Sequence, residues 1–316
     1  MILFFRNCSQ TLKKITDYWL TSANVLFAVL LIVLILPEAD APLLLSLAAL
    51  VEVYQLGLHV CKAKGAVQAN DVATVFFGIL LVWEILTAKL EVLDSFLFPA
   101  PENVLEIFIA DLPAILKGLG NSLVLLSAAY GLAVIIAIPA GLLIGWRRRL
   151  YNAVQPLSKV FSAVPPIVYI PYSIAILPTF QMASVLVIAV GAFWPIFVST
   201  LNATVQIDKT LIDSARMLRI SERRMLFEII LPAAMPQVLT GCSVGLIFSF
   251  ILLASAEMIG ATSGIGWYVK YYSDFGDYGK VIVGILFIGI VVTVAMAVFD
   301  FIHKRLLRWQ ARAAGH

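Results

Sequence analysis

The side chains that could do chemistry are few and scattered through this 316-residue chain. Cys8, Cys61 and Cys242 lie far apart and match neither a metal-ligand spacing nor a CxxC pair. Cys61 and Cys242 sit in or beside apolar runs and read as small buried apolar residues. His59, His303 and His316 form no cluster, and no HExxH, GxSxG, Walker A or GxGxxG pattern occurs. The expectation is no catalytic residue, no metal site and no cofactor. What remains is polar residues embedded in apolar sequence, where an ionisable group is a functional candidate by default. Glu257 ends an apolar run just before a stretch carrying Gly260, Gly264 and Gly266. The backbone N–H groups of such a loop need acceptors, so Glu257 is expected to hold the loop rather than to bind a solute. Glu52 and Glu84 are expected to pair or to sit at an interface. Asn121, Ser122, Ser173, Gln181, Trp194 and Asn202 could line a polar path. The alternative for each is a hydrogen bond to a neighbouring helix.

Positioning such residues takes membrane-spanning helices. The chain is 61% hydrophobic and 13% charged, against about 25% charged in soluble domains. Many of its apolar runs approach the roughly 20 residues that a spanning helix needs. They are continuous rather than alternating, unlike the strands of a membrane β-barrel. Candidate spans are 20–36, 41–60, 72–92, 119–145, 153–177, 181–204, 233–257 and 279–302. The first two read as an extension, residues 1–71, ahead of a six-span core that begins near residue 72. Basic residues mark alternate connections: Arg6, Lys13 and Lys14; Lys62 and Lys64; Arg147, Arg148 and Arg149; Lys209, Arg216, Arg219, Arg223 and Arg224; Lys304, Arg305, Arg308 and Arg312. With eight spans these all fall on one side, which the positive-inside rule makes the cytoplasm. Both termini are then cytoplasmic. Lys13, Lys14, the apolar run after them and Ala39-Asp40-Ala41 imitate a signal peptide. The run is long, and Glu38 and Asp40 crowd the cleavage site, so a retained anchor is expected.

Two connections on the outer side carry structure of their own. Segment 98–118 has Pro99 and Pro101, then Glu102 where a helix dipole favours negative charge. Val104, Leu105, Phe108, Ile109 and Leu112 recur at helical spacing, which predicts a short helix lying in the interface. Segment 258–278 combines the three glycines with Trp267, Tyr268, Tyr271 and Tyr272. It reads either as an aromatic belt or as a folded surface for a partner or solute.

The longest polar stretch is 208–232. Asp208 can cap a helix over 209–218, with Leu211, Ile212, Ala215 and Leu218 on one face. Arg219-Ile220 would turn the chain, and Ser221 would cap a second helix with Leu226, Phe227 and Ile230 on its apolar face. Such a hairpin fits a groove in another protein. The alternative is an amphipathic segment lying on lipid.

The same stretch resembles the EAA loop of ABC-importer permeases, whose pattern is EAA, three residues, Gly, nine residues, I-x-LP. Here the spacing reads Asp213-Ser214-Ala215, three residues, Arg219, nine residues, then Ile229-Ile230-Leu231-Pro232. "FPAPENVL" at 98–105, "IPAGLLIGWRRRL" at 138–150, "PLSKVFSAVPPIVYIP" at 156–171 and "AEMIGATSGIG" at 256–266 are similar to the sulfonate/taurine/nitrate-type branch. The resemblance covers about 72–310 in collinear order. Asp213, Ser214 and Arg219 depart from Glu, Ala and Gly. Arg does not readily take the positive φ that Gly allows, so the turn is expected to be reshaped. The resemblance implies an all-α, type I ABC-importer permease fold in a bacterial inner membrane. It implies a pair of permeases, separate ABC ATPase subunits that hydrolyse ATP, and an external solute-binding protein, with no role for nucleic acid. Leu211, Asp213, Ser214, Ala215, Leu218, Arg219 and Phe227 would contact the ATPase, with Leu211, Ala215, Leu218 and Phe227 as the ridge. Glu257, Gly260, Gly264 and Gly266 would form an outer loop or gate. The solute would be a small anion or organic compound such as a sulfonate, taurine, nitrate or bicarbonate. Pro165, Pro166, Pro171 and Pro178 fit bent helices around a path. The residues alone leave a second class open, a single-component secondary carrier or a helical-bundle membrane enzyme.

Overall fold

The computed structural model describes residues 21–35, 41–60 and 66–308. Arg6, Lys13, Lys14, Lys62, Lys64 and Arg312 from the charge pattern, with Cys8, Cys61, His316 and the signal-like residues 38–40, lie outside them. Every regular element among the described residues is a helix. In chain order they are α1 (Ser22–Ile35), α2 (Pro42–Val60), α3 (Ala66–Glu84), α4 (Pro101–Trp146), α5 (Arg148–Ala163), α6 (Ile170–Ile176), α7 (Phe180–Val205), α8 (Lys209–Met217), α9 (Leu231–Gly260), α10 (Ile265–Asp274) and α11 (Tyr278–Leu306). Among the described residues six helices are long and apolar enough to cross a membrane. They become seven if α5 and the Pro166–Ile176 segment, bent by 76°, form one span. Ser22–Leu34 is apolar but shorter.

The chain divides into two compact units, 1–112 with 276–283, and 113–275 with 284–316. In the first, Leu30, Leu34, Leu44 and Phe77 are fully buried where α1, α2 and α3 meet. Glu52 and Glu84 are buried here too. Pro101 starts α4, where its missing N–H costs no hydrogen bond. Glu102 in the next position accepts from the backbone N–H groups of Leu43 and Leu44 at 2.9 and 2.7 Å. It thus caps α2, a different helix from its own, where the dipole also favours its charge.

The expected interfacial helix over 98–118 is not a separate element. It is the first part of α4, which runs unbroken for 46 residues with Pro113 and Pro139 inside it. At 1.5 Å per residue this helix is about 69 Å long. Gly118, the last residue of that segment, lies inside the helix and allows a close approach. A Cβ there would lie 3.2 Å from the Gly264 carbonyl oxygen.

The second unit is built on α7 and α9. A Cβ on Gly241 of α9 would lie 2.4 Å from Ser199 Cβ on α7, so the two helices touch backbone to backbone. Ser199 Oγ crosses the contact to donate to the Gln237 carbonyl at 2.6 Å. Small residues at such contacts are how helices pack in lipid, where burial from water gives no drive. Between α5 and α6 the prolines act as expected. Val164 precedes Pro165 and is extended (φ −77°, ψ 120°), as is Pro165 before Pro166 (φ −62°, ψ 121°). Cys242 is buried, as expected, with Tyr130 donating to its carbonyl at 2.9 Å.

Candidate functional site

Three features of the second unit bear on function. The first is a cavity of about 410 Å³ against α7 and α9, lined by Ser162, Pro166, Gly191, Trp194, Pro195, Val198, Ser199, Asn202, Gln237, Thr240, Gly241, Val244 and Phe248. None of these side chains is charged. Ser199 and Thr240 hydroxyls donate to backbone carbonyls, at 2.6 and 3.1 Å. The amides of Asn202 and Gln237 are committed to no other described residue, which leaves them for a solute or water. Trp194 is fixed by stacking on Phe161 (5.7 Å between ring centres, 7° between planes). Of the residues expected on a path, Trp194 and Asn202 line this cavity. Asn121, Ser122, Ser173 and Gln181 do not. Ser162, Ser199, Gln237 and Thr240 were not anticipated. For Ser199, Gln237 and Thr240 the signal was helical spacing: Gln237, Thr240, Gly241, Val244 and Phe248 lie on one side of α9, as Pro195, Val198, Ser199 and Asn202 do on α7.

The second feature holds the loop after α9. Gly264 has φ 131°, a conformation open to glycine, and a Cβ there would lie 2.4 Å from Glu257 Cδ. The Gly266 N–H donates to Glu257 Oε2 at 2.7 Å. The Ile265 N–H donates to Ser122 Oγ at 3.0 Å, and that hydroxyl donates to Glu257 Oε1 at 2.6 Å. Glu257 is 1% exposed. Its carboxylate thus takes up the first free N–H groups of α10, one directly and one through Ser122, where the helix dipole favours it. Asn121 Nδ2 adds a 3.0 Å bond to Ser263 Oγ. Asn121 and Ser122, expected on a path, bond to this loop, and Glu257 accepts from its backbone. Gly260 lies against Phe180, and a Cβ on it would be 3.0 Å from the ring.

The third feature is the polar stretch, which folds as a hairpin at the other end of α9. Asp208 caps α8 by accepting from the Thr210 N–H at 2.9 Å, and that bond holds its carboxyl below the usual value. Arg219 turns the chain with φ 50°. The arginine thus takes the left-handed conformation that glycine adopts without strain. The second arm is not a separate helix. After Glu222–Arg224 it widens into a π turn, Met225–Ile230, and runs directly into α9. Such a turn suits the approach to Pro232, which offers no N–H to the preceding turn. Ser221 occupies the cap position without a side-chain bond. Ala215 faces inward, buried with Leu142, Met225, Leu226 and Ile230, so it roots the hairpin instead of standing on its outer ridge. Leu211 (43% exposed), Leu218 (76%) and Phe227 (46%) do face out, and so does Met217 (86%). Asp213 pairs with Arg216 at 3.4 Å. Ser214 donates back to the Thr210 carbonyl. Glu222 joins the end of α4 to the hairpin, accepting from Trp146 Nε1 at 3.0 Å and lying 3.6 Å from Arg147.

Comparison with known proteins places this architecture. A family model described as binding-protein-dependent transport system inner membrane component matches residues 112–311. Similar proteins include the nitrate import permease protein NrtB of Synechocystis sp., 29% identical over 67% of this chain and 80% of that protein. A probable ABC transporter permease protein of Brucella abortus is 30% identical over 73% and 92%. The taurine transport system permease protein TauC of Escherichia coli is 28% identical over 73% and 86%. The fold matches a chain of the MetNI methionine ABC transporter in an inward-facing conformation, with a TM-score of 0.54 and 21% identity over 62% of this chain and 97% of that one. A system of this family works with an ATPase and a substrate-binding protein. The chain belongs to the binding-protein-dependent transport system inner membrane components: it is the permease subunit of an ATP-driven importer, a transport component and not an enzyme.

Proposed function

We propose that the cavity lined by α7 and α9 is this subunit's share of a path for a small anionic solute of the nitrate, taurine or sulfonate kind. The observation that carries this reading is its uncharged, hydrogen-bonding lining. A carboxylate there would repel an anion, and a lysine or arginine would hold it too long, whereas amide, hydroxyl and indole groups replace part of its hydration and release it. Relatives named for nitrate, taurine and aliphatic sulfonate import support the same class. The hairpin lies in the cytoplasm with both termini and docks the ATPase through Leu211, Met217, Leu218 and Phe227. Asp213, Ser214 and Arg219 lie around these contacts, and Ala215 holds the hairpin to its base. The loop held by Glu257 faces the solute-binding protein outside. Two copies pair in the membrane, and residues 1–71 add an extension with two spans. Uptake of nitrate, taurine and ethanesulfonate by vesicles holding the full transporter tests the path. Asn202→Asp is expected to lower uptake of the transported anion at least about tenfold, since a like charge a few Å away repels by several kcal/mol at a protein-like dielectric. Unchanged uptake removes the cavity from the path.

A further inference from the structure

The carboxylates within the hairpin arms are already engaged. Asp213 pairs with Arg216, Glu222 with Arg147, and Glu228 with Arg224 at 3.8 Å. Arg219 and Arg223 are exposed and have no carboxylate within ion-pair distance among the described residues. Arg219 also sits at the turn with φ 50°. A side chain with a Cβ is disfavoured in that conformation, and glycine would make the same turn without strain. The turn itself therefore gives no reason for arginine. Strain of this kind persists where the side chain serves another purpose. Beside it, Met217 and Leu218 are 86% and 76% exposed, so the tip offers an apolar contact next to an unpaired planar cation.

We propose that the ATPase docking on this hairpin presents a carboxylate to Arg219, so that its groove has an apolar floor for Leu218 and an acidic rim at the turn. The inference rests on the docking reading above. A guanidinium grips a carboxylate through two parallel hydrogen bonds, which fixes register as well as sign. Charge pairs at a contact choose between partners and suppress wrong ones. The ion pair selects the cognate ATPase, and the apolar contact supplies most of the burial.

The test uses the whole transporter, co-expressed and purified on the permease, with ATPase retention measured from low to high salt. Arg219→Gly relieves the left-handed strain, so the hairpin should fold at least as well, yet ATPase retention should fall about tenfold at low salt. Arg219→Glu should fall further, and both should flatten the salt dependence, because the screened pair is gone. Arg219→Lys should recover part of the loss. Leu218→Asp should release the ATPase at every salt. If Leu218→Asp releases it while Arg219→Gly and Arg219→Glu behave like the unaltered protein, docking stands and the carboxylate does not exist. If Leu218→Asp also retains the ATPase, docking and ion pair fall together. If Arg219→Glu changes only binding to phosphatidylglycerol vesicles, the cation serves lipid and the proposal is overturned.

Discussion

Glu257 accepts from the Gly266 N–H and from the Ser122 hydroxyl, and removing it leaves both donors without an acceptor in a buried place. Glu257→Ala is expected to destabilise the detergent-solubilised protein by about 1–3 kcal/mol for each group left unsatisfied. Glu257→Gln should cost less than half as much, because the amide oxygen still accepts from Gly266 and the amide nitrogen can donate to Ser122. Thermal unfolding of the two variants side by side checks this, and equal loss would mean that charge, not hydrogen bonding, holds the loop. The role of Glu257 was legible because a carboxylate stands just ahead of a glycine loop. The role of Ser122 was not, because its partner lies 135 positions away and nothing local marks the pairing. Ala215 shows a different limit. Periodicity put it on a stripe with Leu211 and Leu218, but α8 ends at Met217. Leu218 therefore leaves the stripe, while Ala215 stays on the inward face.

Helix α4 and the hairpin's second arm fail to break where their sequences suggest. Residues 98–118 carry the signals of a complete short helix, but nothing after them forces an end, since Gly118 is used for close approach to the loop. The second arm likewise continues into α9 through a π turn. Local propensity sees the glycine or proline but not the neighbour that gives it a purpose. The α7–α9 contact follows the same principle. Gly241→Val is expected to push the helices apart and cost about 1–3 kcal/mol as overpacking, since a Cβ would also lie 3.0 Å from the Pro195 carbonyl oxygen. Gly131→Ala in α4 is the control, because a Cβ there meets nothing within 4 Å, and alanine is the better helix former. Thermal stability should fall for the first and hold or rise for the second. A harmless Gly241→Val would mean that the two helices are not held at backbone contact.

The number of crossings was the hardest feature to read from the sequence, because proline can either bend a span or end it. The geometry of the second unit decides how α5 and α6 must count. Glu222 bonds Trp146 and lies beside Arg147, so the connection after α4 and the hairpin share one end. The chain leaves that end along α5 and comes back to it along α7. If α7 crosses the membrane, α5 with the segment up to Ile176 must cross it too, despite the 76° bend. From residue 149 to residue 273 the chain then makes three crossings: the bent pair, α7 and α9. Arg149→Cys and Ser273→Cys, each in a protein freed of Cys8, Cys61 and Cys242, should lie on opposite sides. With the basic connections inside, an impermeant thiol reagent should label the cysteine at 273 in whole cells. The one at 149 should react only after the membrane is opened. Labelling of both from outside would mean that the bent pair is re-entrant and the hairpin does not share an end with Trp146. A reversed pattern would keep the crossings and overturn the orientation, placing the hairpin where no cytoplasmic ATPase could reach it.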